Sequence, residues 1–299
     1  MKYPAYLNLG KKRFDKRIKK ARTLLTNCRV CPRKCGVNRL EGERGFCKLG
    51  AKAMVSSHHL HFGEESCLVG RRGSGTIFFT RCNLACVYCQ NYDISQLSIG
   101  AEVDAGELAQ MMMELQSLGC HNINFVTPTS QVPQILEALP LAVERGLKIP
   151  LVYNTNAYDS IETLKLLDGI VDIYMPDAKY ADDKVAQKYS AASDYFDIMK
   201  KAIREMHWQV GDLVVEDGIA KRGLLVRHLV LPNDLAGTQE VMKFLAAEIS
   251  KNTFINIMDQ YRPYWKASEY PELEGPITKE EYEEAVEMVK KWRLRLENE

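Results

Sequence analysis

The sequence predicts an α/β fold, a partial (β/α)6 barrel preceded by a small cysteine-rich appendage. Three observations support this prediction. From Gly75 onward, short apolar runs alternate with amphipathic stretches, which is the pattern of parallel strands joined by crossover helices. This strand and helix pair recurs six times. The chain has 299 residues, 46% of them hydrophobic and 26% charged, which is enough for one large core.

Each expected strand is a short apolar run bounded by polar or turn residues. These runs lie at 75–81, 122–127, 149–154, 170–175, 223–231 and 253–258. The expected helices lie at 11–25, 105–118, 131–145, 159–167, 182–206, 236–250 and 278–296. Thr278 is the expected N-cap of the last helix, because Glu280 and Glu281 follow in its first turn. In such a barrel the active site lies at the C-terminal ends of the strands.

The charge balance excludes some classes of partner. Forty basic and 39 acidic residues leave a net charge of +1, which gives no overall attraction to nucleic acid or an anionic membrane. The basic stretch 11–25 lacks interleaved aromatics and is interpreted as a solvated helix. Neither a secretory signal nor a membrane-spanning apolar stretch is found, so we expect a soluble, cytoplasmic protein. Its expected units are a metal-binding segment at 1–70 and the barrel at 71–299.

Three cysteines stand within eight residues in the run RCNLACVYCQN. Cys82, Cys86 and Cys89, the cysteine trio, have the spacing C-x3-C-x2-C. A cubane [4Fe-4S] cluster normally takes four cysteines, so a trio with no fourth close behind would leave one iron open to another ligand. Structural zinc fits less well, because it closes a tetrahedron with four ligands that normally come as two separated pairs.

A second cysteine group precedes the trio. Cys28, Cys31, Cys35 and Cys47, the cysteine quartet, have the spacing C-x2-C-x3-C-x11-C. Four soft ligands in a loop with Gly and Pro suit a second [4Fe-4S] cluster, and a tetrahedral zinc fits nearly as well. Four unligated thiols are a third interpretation. Disulfides are not expected, because nine is an odd number of cysteines and a cytoplasmic chain keeps its thiols reduced.

The spacing of the trio resembles that of the radical S-adenosylmethionine (SAM) superfamily. The segments GSGTIFF, NINFVTPT, VYNTNAYDS and DGIVDIYMPDAKY resemble, within it, relatives of pyruvate formate-lyase activating enzyme, and the resemblance covers most of the chain. It implies an oxygen-sensitive oxidoreductase that binds SAM at the open iron and cleaves it to a 5'-deoxyadenosyl radical. The radical would abstract hydrogen from a protein glycyl residue. The implied partners are a reductant such as flavodoxin or ferredoxin and a glycyl-radical protein.

Two alternatives stay open. Dedicated activators with extra clusters mostly carry the extra cysteines after the trio, whereas here they precede it. A radical SAM enzyme that modifies or rearranges a small metabolite or a peptide is therefore the second hypothesis. A non-catalytic iron-sulfur or zinc protein is the third, and it predicts no SAM cleavage.

The resemblance also implies contacts to SAM after the strands. Tyr88 holds the aromatic position that lies near adenine in the superfamily. The Gly-Gly-Glu motif that often binds the SAM ammonium is missing, so hydroxyls of Thr127 and Thr129 or backbone groups would take its place. The residues implied around the SAM carboxylate are Asn154, Thr155, Asn156, Asp177 and Lys179. A monovalent cation is also implied, at a site less charged here because Asn154 replaces the family's aspartate.

Four further residues are interpreted from their surroundings. Arg227 interrupts an apolar strand and is expected to face the barrel mouth, near the SAM carboxylate or a substrate anion, while His228 faces the core. Tyr261, after the sixth strand, is a candidate for the substrate side. Cys67 is a candidate hydrogen-atom donor. It lies in a segment otherwise interpreted as an extended connector that covers the barrel.

Overall fold

The computed structural model describes residues 3–297. The strands in this range are β1 Ala53–His61, β2 Ser74–Phe79, β3 Ala101–Val103, β4 Ile123–Val126, β5 Leu151–Thr155, β6 Ile173–Pro176, β7 Val214–Glu216, β8 Ile219–Leu229, β9 Phe254–Met258 and β10 Arg295–Leu296. The helices are α1 Lys11–Thr26, α2 Ser66–Val69, α3 Tyr92–Ser95, α4 Ala105–Ser117, α5 Val132–Glu144, α6 Ile161–Leu167, α7 Asp183–Ser190, α8 Tyr195–Val210, α9 Thr238–Phe244 and α10 Lys279–Trp292.

The strands form one curved sheet, in the order β10-β9-β8-β6-β5-β4-β2-β1-β3. Six of them, β2, β4, β5, β6, β8 and β9, are parallel to one another. These six correspond to the predicted strands and form the wall of a partial barrel, so the predicted fold class is confirmed. At one side β1 and β3 add antiparallel pairs, while β7 pairs with β8 outside the main order.

Local sequence explains where the helices begin. Asp104 and Glu107 form a capping box at the start of α4. Thr278 and Glu281 do the same for α10: Thr278 Oγ1 accepts from Glu281 N at 3.1 Å, and Glu281 Oε2 accepts from Thr278 N at 2.7 Å. The N-cap expected at Thr278 is therefore present.

Two expectations about secondary structure were wrong. The single helix expected at 182–206 is two helices, α7 and α8. Ala191 ends α7 in a left-handed conformation, with φ of 54°, and its N–H closes the last turn on Ala186 and Gln187. The segment 57–67, expected to be an extended connector, belongs to β1 as far as His61 and to α2 from Ser66, so Phe62–Glu65 alone links the two elements.

The N-terminal segment shares the core of the barrel. Tyr6, Phe14 and Leu25 belong to the same buried cluster as Ile77 in β2 and Phe125 in β4. The division into units at 1–70 and 71–299 stays a prediction. Among the helices of residues 3–297, none is long and apolar enough to cross a membrane.

Candidate cluster and cofactor site

A cavity of about 490 Å³ lies at the C-terminal ends of the parallel strands. The cysteine trio, in the loop after β2, lines one side of it. The end of β5 and the residues just after β4 and β6 line the rest, together with the ends of β8 and β9. Most candidate site residues named from the sequence therefore face one space.

Each sulfur of the trio has a hydrogen-bonding partner. These contacts are Leu84 N and Asn156 Nδ2 to Cys82 Sγ, both 3.3 Å, Ser190 Oγ to Cys86 Sγ, 2.9 Å, and Ser95 Oγ to Cys89 Sγ, 3.2 Å. Burial raises the pKa of Cys82 to about 12 and that of Cys86 to about 11. The thiols therefore need a positive partner to ionise. Hydrogen-bonded sulfurs open to a cavity fit an iron-sulfur cluster.

Aromatic rings form a second wall of the cavity. The ring of Tyr88 lies edge-on to that of Tyr261, with centroids 5.8 Å apart, and its hydroxyl is 2.5 Å from the hydroxyl of Tyr180. Tyr261 donates its hydroxyl to Leu273 O at 2.6 Å. Tyr88 and Tyr261 both line the cavity with their hydroxyls engaged, so they offer it mainly ring surface.

A buried charged group lines the same cavity as the trio. Arg227 Nε donates to Asp177 Oδ1 at 2.7 Å, and Arg227 Nη2 donates to Asn154 Oδ1 at 2.7 Å. Lys179 Nζ donates to the other carboxylate oxygen, Asp177 Oδ2, at 2.8 Å. Burial alone would raise the pKa of Asp177, but Arg227 and Lys179 hold it below its ordinary value. Both oxygens of Asp177 are engaged, which does not favour a monovalent cation at this carboxylate.

His228 faces away from the cavity, as expected from the alternation of side chains along β8. Its Nδ1 is 2.6 Å from Ala178 O and its Nε2 is 3.0 Å from Thr238 Oγ1. Burial lowers its pKa to about 4. His228 is therefore a neutral histidine that positions the segment after β6.

Glu64 is a site residue whose role the sequence did not indicate. It lies in the connector after β1, lines the cavity, and accepts from Asn124 Nδ2 at 3.0 Å and from Arg227 Nη1 at 3.2 Å. Burial raises its pKa from 4.5 to about 7, although Arg227 opposes the shift. The signal in the sequence is the acidic pair Glu64 and Glu65, which the structure places in the link between β1 and α2.

The titration of Glu64 predicts how stability depends on pH. Its pKa is raised in the native state, so the favourable contribution is full below pH 4.5 and is lost as pH rises through about 7. When the pH is raised from 4.5 to about 7, the free energy of unfolding in urea should fall by about 3 kcal/mol less for Glu64→Gln than for wild type. Glu284→Gln, on the exposed face of α10, is the control. Equal pH dependence in wild type and Glu64→Gln would contradict the prediction.

The structure places two of the named candidates outside the cavity lining. Thr129 is buried, with its hydroxyl 2.9 Å from that of Thr155, whereas Thr127 and Thr155 do line the cavity. Cys67 packs in an apolar cluster, where burial raises its pKa to about 12. The hydroxyl of Thr129 is therefore engaged by Thr155 outside the cavity lining, and Cys67 lies in an apolar cluster away from that lining.

The cysteine quartet lies in a separate place. Its four cysteines line a small enclosed cavity beside the barrel, which also contacts the loop after β4 at Ser130. The two cysteine groups therefore form two sites.

Comparison with known proteins gives the family. A model of the radical SAM superfamily matches residues 76–245. An uncharacterized protein of Methanocaldococcus jannaschii is 35% identical over 292 residues, which is 95% of this chain and 80% of that protein.

Two solved structures share the fold. Methylornithine synthase (PylB) matches with a TM-score of 0.51 at 12% identity, and the match covers 98% of this chain and 72% of the PylB chain. SuiB of Streptococcus suis bound to SAM has a TM-score of 0.51 at 13% identity and covers 73% of this chain, which spans 48% of SuiB. Together with the family match and the trio at the strand ends, this places the chain in the radical SAM superfamily, whose members are enzymes that bind an iron-sulfur cluster and SAM.

Proposed function

We propose that this protein reductively cleaves SAM at a [4Fe-4S] cluster held by the cysteine trio and abstracts a hydrogen atom from a protein substrate, as an activating enzyme does. The observation that carries the proposal is that three hydrogen-bonded sulfurs share one cavity with the buried Asp177, Lys179 and Arg227 group. When bound, the cluster and SAM would supply one-electron chemistry that yields a 5'-deoxyadenosyl radical.

The side chains of the cavity have separate roles in this proposal. The trio leaves one coordination position of the cluster for SAM. Lys179 can donate to the carboxylate of SAM, since an ammonium has three donors and Asp177 takes one. Glu64 can accept from the SAM ammonium in place of the missing motif after β4. The rings of Tyr88 and Tyr261 offer apolar surface to the adenosyl group and exclude water.

Exposed apolar residues near the cavity support a protein or peptide substrate. Two and four residues beyond Ser95, which lines the cavity, Leu97 is 54% exposed and Ile99 is 58% exposed. Tyr264 lines the cavity and is itself 41% exposed. Apolar side chains at the edge of a site favour contact with another polypeptide. We further propose a reduced flavodoxin or ferredoxin as the electron donor.

The test is anaerobic reconstitution with iron and sulfide, followed by dithionite and SAM. Wild type should form 5'-deoxyadenosine, and Cys86→Ala should form none, because only two cluster ligands remain. Cys120→Ala is the matched control: Cys120 is also buried, but its thiol donates to Leu115 O at 2.9 Å outside the cavity. Failure of the loaded wild type to cleave SAM, or cleavage by Cys86→Ala at the wild-type rate, would overturn the proposal.

The substrate class has its own test. A candidate glycyl-radical protein carrying deuterated glycine is incubated with the reconstituted enzyme, and 5'-deoxyadenosine is analysed by mass spectrometry. Deuterium in the product supports a protein substrate. SAM cleavage without deuterium transfer from any such protein, but with transfer from a labelled metabolite, would replace this part of the proposal.

A further inference from the structure

The cysteine quartet converges on one enclosed cavity. Cys28, Cys31 and Cys35 lie in a tight loop after α1, closed by Cys28 N to Val37 O at 2.8 Å and by Gly36 N to Cys28 O at 3.1 Å. Cys47 reaches the same cavity from the following loop. Four thiols from two loops thus meet at a place that the trio does not occupy.

Arg39 provides an independent sign that the cavity holds an anion. Its side chain lines the cavity and is 1% exposed. Nε donates to Gly50 O at 2.9 Å and Nη1 donates to Ser130 O at 2.8 Å, while the buried Nη2 has no hydrogen-bond partner. Burying a guanidinium with only neutral partners is costly. A metal centre ligated by four thiolates would give Arg39 the negatively charged partner that it otherwise lacks.

The backbone at Gly45 lies so close to the Cys35 side chain that only glycine fits there. A Cβ atom at position 45 would lie 2.6 Å from Cys35 Cβ and 2.7 Å from Cys35 Sγ. Next to it, Phe46 N donates to Cys35 Sγ at 3.3 Å. Backbone N–H groups that donate to sulfur are a recurrent feature around iron-sulfur ligands.

The spacing of the thiols favours a cluster over a single zinc ion. Cys28, Cys31 and Cys35 fall within eight residues, as the three cysteines of the trio do. A structural zinc ion normally takes its four ligands as two separated pairs. A compact group of three thiols with one remote thiol is more typical of an iron-sulfur cluster. The quartet therefore suits a cluster better than a single zinc ion.

Arg33 joins the two cysteine sites. It lies between Cys31 and Cys35 and donates Nε to Asn83 O at 2.8 Å, directly after Cys82 in the chain. Its Nη2 donates to Ser190 O at 3.4 Å, and the hydroxyl of the same Ser190 donates to the sulfur of Cys86. One side chain thus links the loop of the quartet to Asn83, which follows Cys82, and to Ser190, which contacts Cys86.

We propose that the cysteine quartet binds a second [4Fe-4S] cluster, which passes single electrons to the cluster of the trio along the Arg33 contacts. In each step a reduced flavodoxin or ferredoxin loses one electron, the second cluster gains it and then loses it, and the first cluster gains it. No bond forms or breaks and no proton moves. The electron role rests on the proposed function, whereas the metal site does not.

The first test is metal content. Wild type reconstituted anaerobically should bind about eight irons and eight sulfides per chain, and Cys31→Ser/Cys35→Ser about four. SAM should still change the EPR spectrum of the reduced double variant, which shows that its barrel is folded. One zinc with about four irons in wild type, or unchanged iron in the double variant, would overturn the second cluster. Eight irons without SAM cleavage would leave this site intact and defeat only the proposed function.

The second test concerns electron transfer. Reduction of the first cluster by reduced flavodoxin is followed by freeze-quench EPR in wild type, Arg33→Met and Arg29→Met. Arg33→Met should keep about eight irons but fail to reduce the first cluster in the time that wild type needs. Arg29→Met, an exposed arginine of the same loop, should behave as wild type. Unchanged reduction in Arg33→Met would overturn the role of Arg33.

Discussion

Replacement of Arg227 by methionine should destabilise the protein by about 3–5 kcal/mol, because it leaves buried carboxylates without their cation. Asp177 lies 2.7 Å from the guanidinium, Glu64 3.2 Å and Glu65 4.0 Å. Only Lys179 would remain to compensate Asp177. Urea unfolding of the reconstituted protein at pH 8 measures the loss, and the loss should shrink toward pH 5 as Glu64 takes up a proton.

Two variants frame this result. Arg227→Lys keeps the charge but not the fork of donors that reaches Asp177 and Asn154 together, so an intermediate loss is expected. Arg22→Met removes an exposed partner of Glu137 and should cost at most about 1 kcal/mol. If Arg227→Met costs no more than Arg22→Met, the buried charged group does not stabilise the barrel as inferred.

Gly223→Ala should be comparably damaging, with a loss of about 3 kcal/mol or more, because the new methyl group has no room. Gly223 has φ of 128°, and a Cβ there would lie 2.4 Å from Asp212 O and from Leu213 Cα. Both neighbours are backbone atoms, so a side-chain rotation cannot relieve the clash. Because β8 also carries Arg227, the shift should lower SAM cleavage as well as stability.

The control for this variant is Gly275→Ala. Gly275 has no atom within 4 Å of the added methyl group, and the change should alter stability by about 0.5 kcal/mol or less. The measurement is the thermal unfolding temperature of Gly223→Ala and Gly275→Ala compared with that of wild type. A Gly223→Ala protein that unfolds like Gly275→Ala would show that β8 tolerates the displacement.

The parallel strands could be predicted because each is a continuous apolar run. β4 and β5 are buried along their whole length, so hydrophobicity alone marks them. β1 was missed because its sequence, AMVSSHHLH, is largely polar and only partly buried. The break after α7 was missed because Ala191 and Ala192 favour helix locally; there the chain turns so that Ser190 donates to Cys86, a contact 104 residues away.

The candidate site was predictable where the chemistry depends on spacing. The trio stands at one loop, and Asp177, Lys179 and Arg227 follow or end apolar strands, so their convergence follows from parallel pairing. Glu64 reaches the cavity from outside the repeating strand and helix units, so no periodic pattern pointed to it. The hydroxyl of Thr129 is engaged by that of Thr155, which depends on the segment after β4 lying beside the end of β5.

The open barrel leaves two sheet margins that another chain could extend. Unpaired backbone at such margins invites aggregation, and short outer strands limit it. Within residues 3–297, β10 closes one margin with two residues and β3 closes the other with three. Beyond Val55, β1 has no pairing with β3, and this unpaired part contains His58, His59 and His61 rather than an apolar run. The barrel can therefore stay open for ligand access without exposing a long apolar edge strand on which a second copy could pair.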